Sequence, residues 1–368
     1  MFYSIGIDIS KDDFKACILE YNPVEQTERV RSSRKFNNTQ AELPKFVSWV
    51  TKWESKQPAP VRITMEATGV YYERVALHLF DNHPEWALSV VLPSQARRFN
   101  ESEGFKNKTD RIDARGLALM GARKKLQLWR GIKPYWSELR QLTRTRGALV
   151  EQRTQLKNQL HALNYSAYAI KDTRKIVQQT IAALDKQITK LEKLITRHLD
   201  SDPEIEEKVD KLKSIPSIGL ITISTVLAET LGFEYFTSRS QLISYAGYDI
   251  VVKESGKHKG KRKMSKQGNA RIRAAMYMPV GNILSHKRQP YYNYYDRLVS
   301  RHGIKMKANV ALQKKLLCLM YHLWKKNEAF DAALALRPAG LSASAVSPKG
   351  DTGVDTTIPE LEMAFFED

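Results

Sequence analysis

Cysteine is nearly absent from this chain: Cys17 and Cys318 are the only two among 368 residues. Two thiols are too few for a disulfide framework or a thiolate zinc site, and they fit a reducing, cytoplasmic compartment. Long apolar runs are missing as well, with none reaching the roughly 18 residues that a membrane-spanning helix needs. The N-terminus enters a strand pattern directly, with no signal-peptide pattern. Acidic residues are scarce: 40 Asp and Glu stand against 59 Lys and Arg, for a formal net charge of +19 and a pI near 9.7. That imbalance disfavours a cationic partner. It points to a polyanion bound through counterion release, with affinity that falls as salt rises. The length leaves room for two domains and a connecting element, each with its own core.

Against that scarcity, the placement of four acids is informative. Asp8 lies inside the strand-like run Tyr3-Ser4-Ile5-Gly6-Ile7-Asp8-Ile9-Ser10, and Glu66 closes a second one, Val61-Arg62-Ile63-Thr64-Met65-Glu66. Asp110 and Asp113 stand three apart in Thr109-Asp110-Arg111-Ile112-Asp113-Ala114-Arg115, at the start of a helical pattern, so both fall on one helix face. Singly, each has an ordinary explanation, since a strand Asp can cap an edge and an acid pair at a helix start favours the dipole. As a set they match what Mg²⁺ requires: oxygen ligands, with positions left open for phosphate oxygens.

Residues 1 to about 125 alternate strand and helix patterns. Strands are expected at 2–9, 14–21, 27–36, 61–67 and 87–93, and helices at about 40–54, 70–82 and 109–124. Three consecutive strands followed by strand–helix alternation describe a mixed α/β sheet flanked by helices, the layout of an RNase H-like, RuvC-like nuclease domain. An all-α segment follows at 126–207. Leu142, Leu149, Leu156, Leu163, Ile170, Val177, Leu184 and Leu191 recur every seven residues there, a coiled-coil seam. The expectation is an assembly element, with an internal hairpin folding around Asn164–Asp172 as the alternative.

A smaller helical domain is expected at 208–335. It opens on Ser214-Ile215-Pro216-Ser217-Ile218-Gly219, and Gly219 then leads into an apolar helix. Such a loop suits a helix-hairpin-helix-like phosphate contact or an ordinary helix–helix turn. Between Lys253 and Arg273 there are nine basic residues and one acid, in a glycine-containing stretch expected to be a phosphate-facing loop. Lys253, Lys257, Lys259, Lys261, Arg262, Lys263 and Lys266 are its candidate nucleic-acid contacts. Ser255 and Ser265 both lie among these cations, which could activate a hydroxyl and stabilise charge on a phosphoryl group. Composition does not choose between them. From 336 to 368 the chain is rich in Ala, Ser, Pro, Gly and Thr and is expected to be a disordered tail.

Over almost its whole folded length the chain resembles the DEDD transposases of the insertion-sequence 110 family, the bridge-RNA-guided recombinases. The matching segments are Ile5-Gly6-Ile7-Asp8, Met65-Glu66-Ala67-Thr68-Gly69-Val70-Tyr71, and Ser102-Glu103-Gly104 through Lys106-Asn107-Lys108-Thr109-Asp110 to Asp113-Ala114-Arg115. Further on they are Ser214-Ile215-Pro216, Tyr245-Ala246-Gly247, Glu254-Ser255-Gly256, Met264-Ser265-Lys266-Gln267-Gly268-Asn269 and Ala275-Met276-Tyr277-Met278-Pro279. The resemblance implies that Asp8, Glu66, Asp110 and Asp113 form a Mg²⁺-binding tetrad and that Ser255 is a nucleophile forming a phosphoserine link to DNA. It implies target and donor DNA as substrates and a structured non-coding guide RNA that supplies most of the sequence reading. It also implies a composite site joining the acids of one subunit to the serine of another, in a tetramer built as a dimer of dimers. Two segments depart from the family's pattern. Gly247-Tyr248-Asp249-Ile250 stands for Gly-Leu-x-Pro, and Pro216-Ser217-Ile218-Gly219 for Pro-Gly-Ile-Gly. The competing readings are a RuvC-like endonuclease using water and two metals, and a nucleic-acid-binding scaffold whose acids are structural.

Overall fold

A computed structural model describes residues 1–54, 59–105, 109–168, 170–252, 254–255, 258–260 and 263–331, with the backbone alone at 254, 255, 258 and 259. By packing, the chain forms two compact units: Met1–Ile195 with Leu227–Tyr235, and Thr196–Val226 with the residues from Phe236 onward. This is a different cut from the expected boundaries at 125 and 207. The expected tail at 336–368 lies outside the described residues.

The first unit is built on one five-stranded sheet. Strands β1 (Phe2–Ile9), β2 (Asp13–Asn22) and β3 (Thr27–Asn37) form an antiparallel meander. Strands β4 (Val61–Glu66) and β5 (Ala87–Val91) add to the other side of β1 in parallel. The order β3-β2-β1-β4-β5 is that of an RNase H-like sheet, the expected fold, although periodicity alone does not give the strand order. Side chains alternate between faces along each strand. Ile5, Ile7 and Ile9, with Phe14, Ala16, Ile18, Ile63 and Met65, enter a core that includes Leu43, Phe46, Trp49 and Val50 of helix α1 (Leu43–Glu54). Val75, Ala76 and Leu79 of α2 (Glu73–Asn82) belong to the same core.

Ser4 and Gly6, small residues from the alternate positions of β1, meet the opposite layer. That layer is α3 (Pro93–Ser102) and α4 (Asp110–Arg123), which close a second core with Phe2, Leu19, Tyr21 and Val91. The approach is unusually close. A Cβ on Gly6 would stand 2.0 Å from the Ala114 carbonyl oxygen and 2.2 Å from the Ala118 nitrogen. Ser4 Oγ donates to the Ala118 carbonyl at 2.6 Å, and a Cβ on Gly121 would reach Thr64 Oγ1 at 2.2 Å. Glycine is therefore required on both sides of this contact, because a methyl group at either position would push helix and sheet apart.

The heptad segment forms α5 (Pro134–Tyr165) and α6 (Lys171–Leu199), broken at 166–170. Arg146 pairs with Glu192 at 2.7 Å and Arg153 with Asp185 at 2.8 Å. A seven-residue step up α5 thus matches a seven-residue step down α6, so the two helices run antiparallel within one chain. This is the hairpin alternative, and Arg146 and Arg153 are the residues that fix its register. The base of α5 holds the inserted segment 227–235. Arg144 meets the buried Glu229 through two bonds of 2.7 and 2.9 Å, and Lys133 meets Glu234 at 2.6 Å.

The second unit is helical. Its elements are α7 (Pro203–Lys213), the start of α8 (Leu220–Thr230), α9 (Arg239–Ala246), α10 (Ala270–Ser285), α11 (Tyr291–His302) and α12 (Lys305–Lys326). Its fully buried side chains include Leu242, Ile272, Met276, Val280, Leu312, Leu316 and Met320. Between α9 and α10 the chain makes two short ladders, β6 (Ile250–Val251) with β9 (Lys263–Met264) and β7 (Glu254–Ser255) with β8 (His258–Lys259). The described parts of the stretch expected as a loop therefore pair in two short ladders. These pairs are too short to show an apolar alternation in the sequence.

Candidate catalytic site

Sheet register places two of the four acids. Gly6 pairs with Thr64 and Ile7 with Met65 across the parallel strands β1 and β4, so Asp8 and Glu66 follow at the same strand end. Alternation puts Asp8 in the row of Ser4 and Gly6, and Glu66 in the row of Thr64, which is the face covered by α4. Asp110 and Asp113 occupy the first turn of that helix, behind the N-cap Thr109, whose hydroxyl accepts from the Ile112 amide at 3.3 Å. The glycine contacts at Gly6 and Gly121 hold α4 against this end of the sheet.

The four carboxylates share one electrostatic neighbourhood. Asp8 is half-buried, and its pKa is pushed up to about 6, first by burial and then by the negative charges of Asp113, Asp110 and Glu66. Lys15 faces Asp8 across the β1–β2 ladder and opposes the shift. Its ammonium lies 2.6 Å from Asp110 Oδ2, and this bond holds the Asp110 carboxyl below its usual range. Asn100 on α3 donates from Nδ2 to Asp113 Oδ1 at 3.3 Å, and Thr68 donates to Glu66 at 3.3 Å. Lys15 and Asn100 carry no sequence signal as site residues. One is 95 positions from its acid, and the other sits on a short, mostly polar helix that the sequence pattern missed.

Among the described residues, no group of three or more acids, histidines or cysteines stands close enough to hold a metal ion. Lys15, Asn100 and Thr68 each draw one carboxylate into a bond of its own. The donor set still fits a hard divalent cation, because four carboxylates at one sheet end supply only oxygen ligands, and burial together with their mutual repulsion raises Asp8. Asp8, Glu66, Asp110 and Asp113 are the residues that would hold it.

In the second unit Ser255 lies on β7, opposite His258 of β8. Lys259 is on β8, while Lys253, Lys257, Lys261 and Arg262 fall outside the described residues. Lys263 and Lys266 are exposed. Ser265 is built into a clasp beside the β6–β9 ladder. Its amide donates to the Asp249 carbonyl at 2.7 Å, its hydroxyl donates to Gly247 O at 3.3 Å, and the same oxygen accepts from the Gln267 amide at 3.3 Å. Gly268 packs so closely that a Cβ would stand 2.5 Å from both the Gly247 nitrogen and the Tyr245 carbonyl. Asn269 caps α10, and Arg273 donates to the Ala246 carbonyl at 2.8 Å. In the Ser214–Gly219 loop, Ile215 and Ile218 are buried and the Ser217 hydroxyl donates to Asn282 Oδ1 at 2.8 Å. Gly219 faces open space where a side chain would begin.

Two family models account for most of this architecture. The DEDD transposase model of the IS110 type matches residues 5–168, and the model described as transposase IS116/IS110/IS902 family matches residues 209–296. The chain belongs to the IS110 family of transposases. It is accordingly a DNA transposase or recombinase. It is 28% identical over 331 residues to the pilin gene-inverting protein of Moraxella bovis, covering 89% of this chain and 97% of that protein. The transposase for insertion sequence element IS1111A of Coxiella burnetii is 23% identical over 355 residues, covering 89% of this chain and 90% of that one. RuvC of T. thermophilus, solved in complex with a Holliday junction substrate, overlaps 32% of this chain and 91% of its own at 11% identity and a TM-score of 0.24. The fold assignment rests on strand order and not on that overlap. No helix among the described residues is long and apolar enough to cross a membrane.

Proposed function

We propose that this transposase is an RNA-guided recombinase that cuts and rejoins target and donor DNA through a phosphoserine at Ser255, with Mg²⁺ on Asp8, Glu66, Asp110 and Asp113. The observation that carries the reading is the shared electrostatic neighbourhood of the four acids at one sheet end, where burial first and then the other three charges raise Asp8 to about 6. A scaffold has no use for such an arrangement. Mg²⁺ on these carboxylates would polarise the scissile phosphate and offset the charge developing on it. The Ser255 hydroxyl attacks that phosphorus and loses its proton, and the displaced strand end leaves as a hydroxyl. A phosphodiester to serine replaces the broken DNA bond, so the hydroxyl of another strand can reverse the step and release the serine without ATP. Ser255 is favoured over Ser265 because the Ser265 hydroxyl is spent on the turn beside the β6–β9 ladder.

The family resemblance supports the remaining parts of the proposal: a structured guide RNA, catalysis by the acids of one copy with Ser255 of another, and a tetramer assembled from two dimers through the α5–α6 hairpins. The gene-inverting relatives support a rearrangement in which cut ends are rejoined. The test is denaturing-gel detection of a covalent protein–DNA adduct, with Mg²⁺, labelled junction DNA and RNA transcribed from the flanking non-coding region. An adduct in the wild type that is absent from Ser255→Ala and Asp8→Ala is expected. Cleavage without any adduct would move the protein to the water-using endonucleases. Cleavage unaffected by Asp8→Asn would make the acids structural.

A further inference from the structure

Positive charge is unevenly spread over this chain. Residues 286–327 carry ten Lys and Arg against one acid, Asp296, and so hold nearly half of the +19 net charge in about a ninth of the length. These residues include α11 and α12, which pack on one another, and they lie apart in sequence from the stretch that bears Ser255. Several of the cations are seated on tyrosine rings. Lys315 of α12 lies 4.3 Å from the ring centre of Tyr294, Arg297 approaches the same ring at 5.7 Å, and Lys287 lies 5.9 Å from Tyr292. The three cations are exposed, whereas the two rings are half-buried. Each ring thus restrains the charged head of a long side chain, which lowers the entropy cost when that head meets an anion.

We infer that the α11–α12 face is a second DNA-binding surface, one that tracks the sugar–phosphate backbone of a duplex without reading bases. Its chemistry is cationic, with the ring faces already covered by the protein's own cations. Phosphate contact is therefore favoured over base stacking. DNA is the occupant because the enzyme is a DNA transposase, and the inference does not depend on which serine is the nucleophile or whether an RNA guide is used. The surface would grip DNA flanking the reacting junction, which a recombinase must hold while its strands are cut.

The test is equilibrium binding of the full chain to a short random-sequence DNA duplex and to an RNA duplex of equal length across a salt series, by fluorescence anisotropy. The variant Lys287→Gln/Arg297→Gln/Lys315→Gln is compared with a control that neutralises the same number of exposed charges on α6, Lys186→Gln/Lys190→Gln/Lys193→Gln. The single variant Lys307→Gln, at an exposed position of α12, guards against misfolding of the triple. The expected result is weaker DNA binding by the α11–α12 triple. The slope of log affinity against log salt should become shallower by about 0.9 for each phosphate that is no longer neutralised. Lys307→Gln is expected to move the slope in the same direction. Equal weakening in the α6 control, an unchanged slope in both α11–α12 variants, or weakening confined to RNA would each overturn the inference.

Discussion

The two units of this transposase place their proposed reacting groups in different ways. In the first, Asp8 and Glu66 end adjacent parallel strands, and Asp110 and Asp113 open a helix that glycines bring against the same sheet face. Their positions follow from strand register, side-chain alternation and one close helix–sheet contact, so each can be traced to a particular residue. In the second, Ser255 sits on a two-residue ladder above a clasp formed by Tyr245–Gly247 and Ser265–Asn269. Charge divides the same way, because residues 253–273 and 286–327 together hold nearly all of the +19. The proposed cation ligands and the cationic stretches thus lie on different units.

Substitutions at the proposed reacting groups test this division most strongly. Asp8→Ala and Ser255→Ala are each expected to lower strand joining by about 10³-fold or more, measured as product per enzyme. They should differ in a second measurement. Mg²⁺ should raise the melting temperature of the wild type and of Ser255→Ala, and leave Asp8→Ala unmoved. If both variants kept the Mg²⁺ shift, cation binding would not belong to the acids of the first unit. Next in size is Gly6→Ala, whose Cβ would clash with Ala114 and Ala118 of α4. A destabilisation of about 3 kcal/mol in denaturant unfolding is expected from this overpacking. Gly219→Ala, which meets nothing within 4 Å, should stay within about 0.5 kcal/mol.

Asn100→Ala removes the amide that orients Asp113 and should weaken Mg²⁺ binding about 10-fold, read by calorimetry, with little effect on the metal-free melt. The smallest effect is a gain. Because Asp8 is raised to about 6, the folded state holds its proton more tightly than the unfolded chain does. Stability from this group is therefore present below about pH 4 and lost as pH rises through 6. Asp8→Asn should thus stabilise the metal-free protein by about 1 kcal/mol at pH 7, after allowance for solvent screening, with the advantage gone by about pH 4. A gain that persisted at pH 4 would place its cause outside the carboxylate cluster.

Much of the first unit was legible because its physics is periodic. Alternating runs gave the five strands to within two residues at either end, and a three-residue spacing set Asp110 and Asp113 on one face of α4. Helix α3 escaped because its apolar positions are few, with only Ala96 and Phe99 buried. Lys15 and Asn100 escaped because their roles depend on partners distant in sequence, which no local pattern encodes. The α5–α6 seam was legible as a heptad repeat, but apolar spacing alone does not say which helix is the partner. The charges of Arg146 and Arg153 answer that within the chain. The insertion of residues 227–235 into the first unit depends on Arg144 finding the buried Glu229, a pairing that composition gives no reason to expect. The charge excess was read at 253–273 and passed over at 286–327, where helical apolar spacing masks it.

The most direct test of the central claim, that the acids and Ser255 are two halves of one reaction supplied by different copies, is a mixing experiment. Purified Asp8→Ala and Ser255→Ala, each inactive alone, are combined with junction DNA, guide RNA and Mg²⁺, and joined product is measured. Recovery of strand joining and of the covalent adduct in the mixture is the predicted result. A mixture as inactive as its components, under conditions where the wild type joins strands, would contradict it.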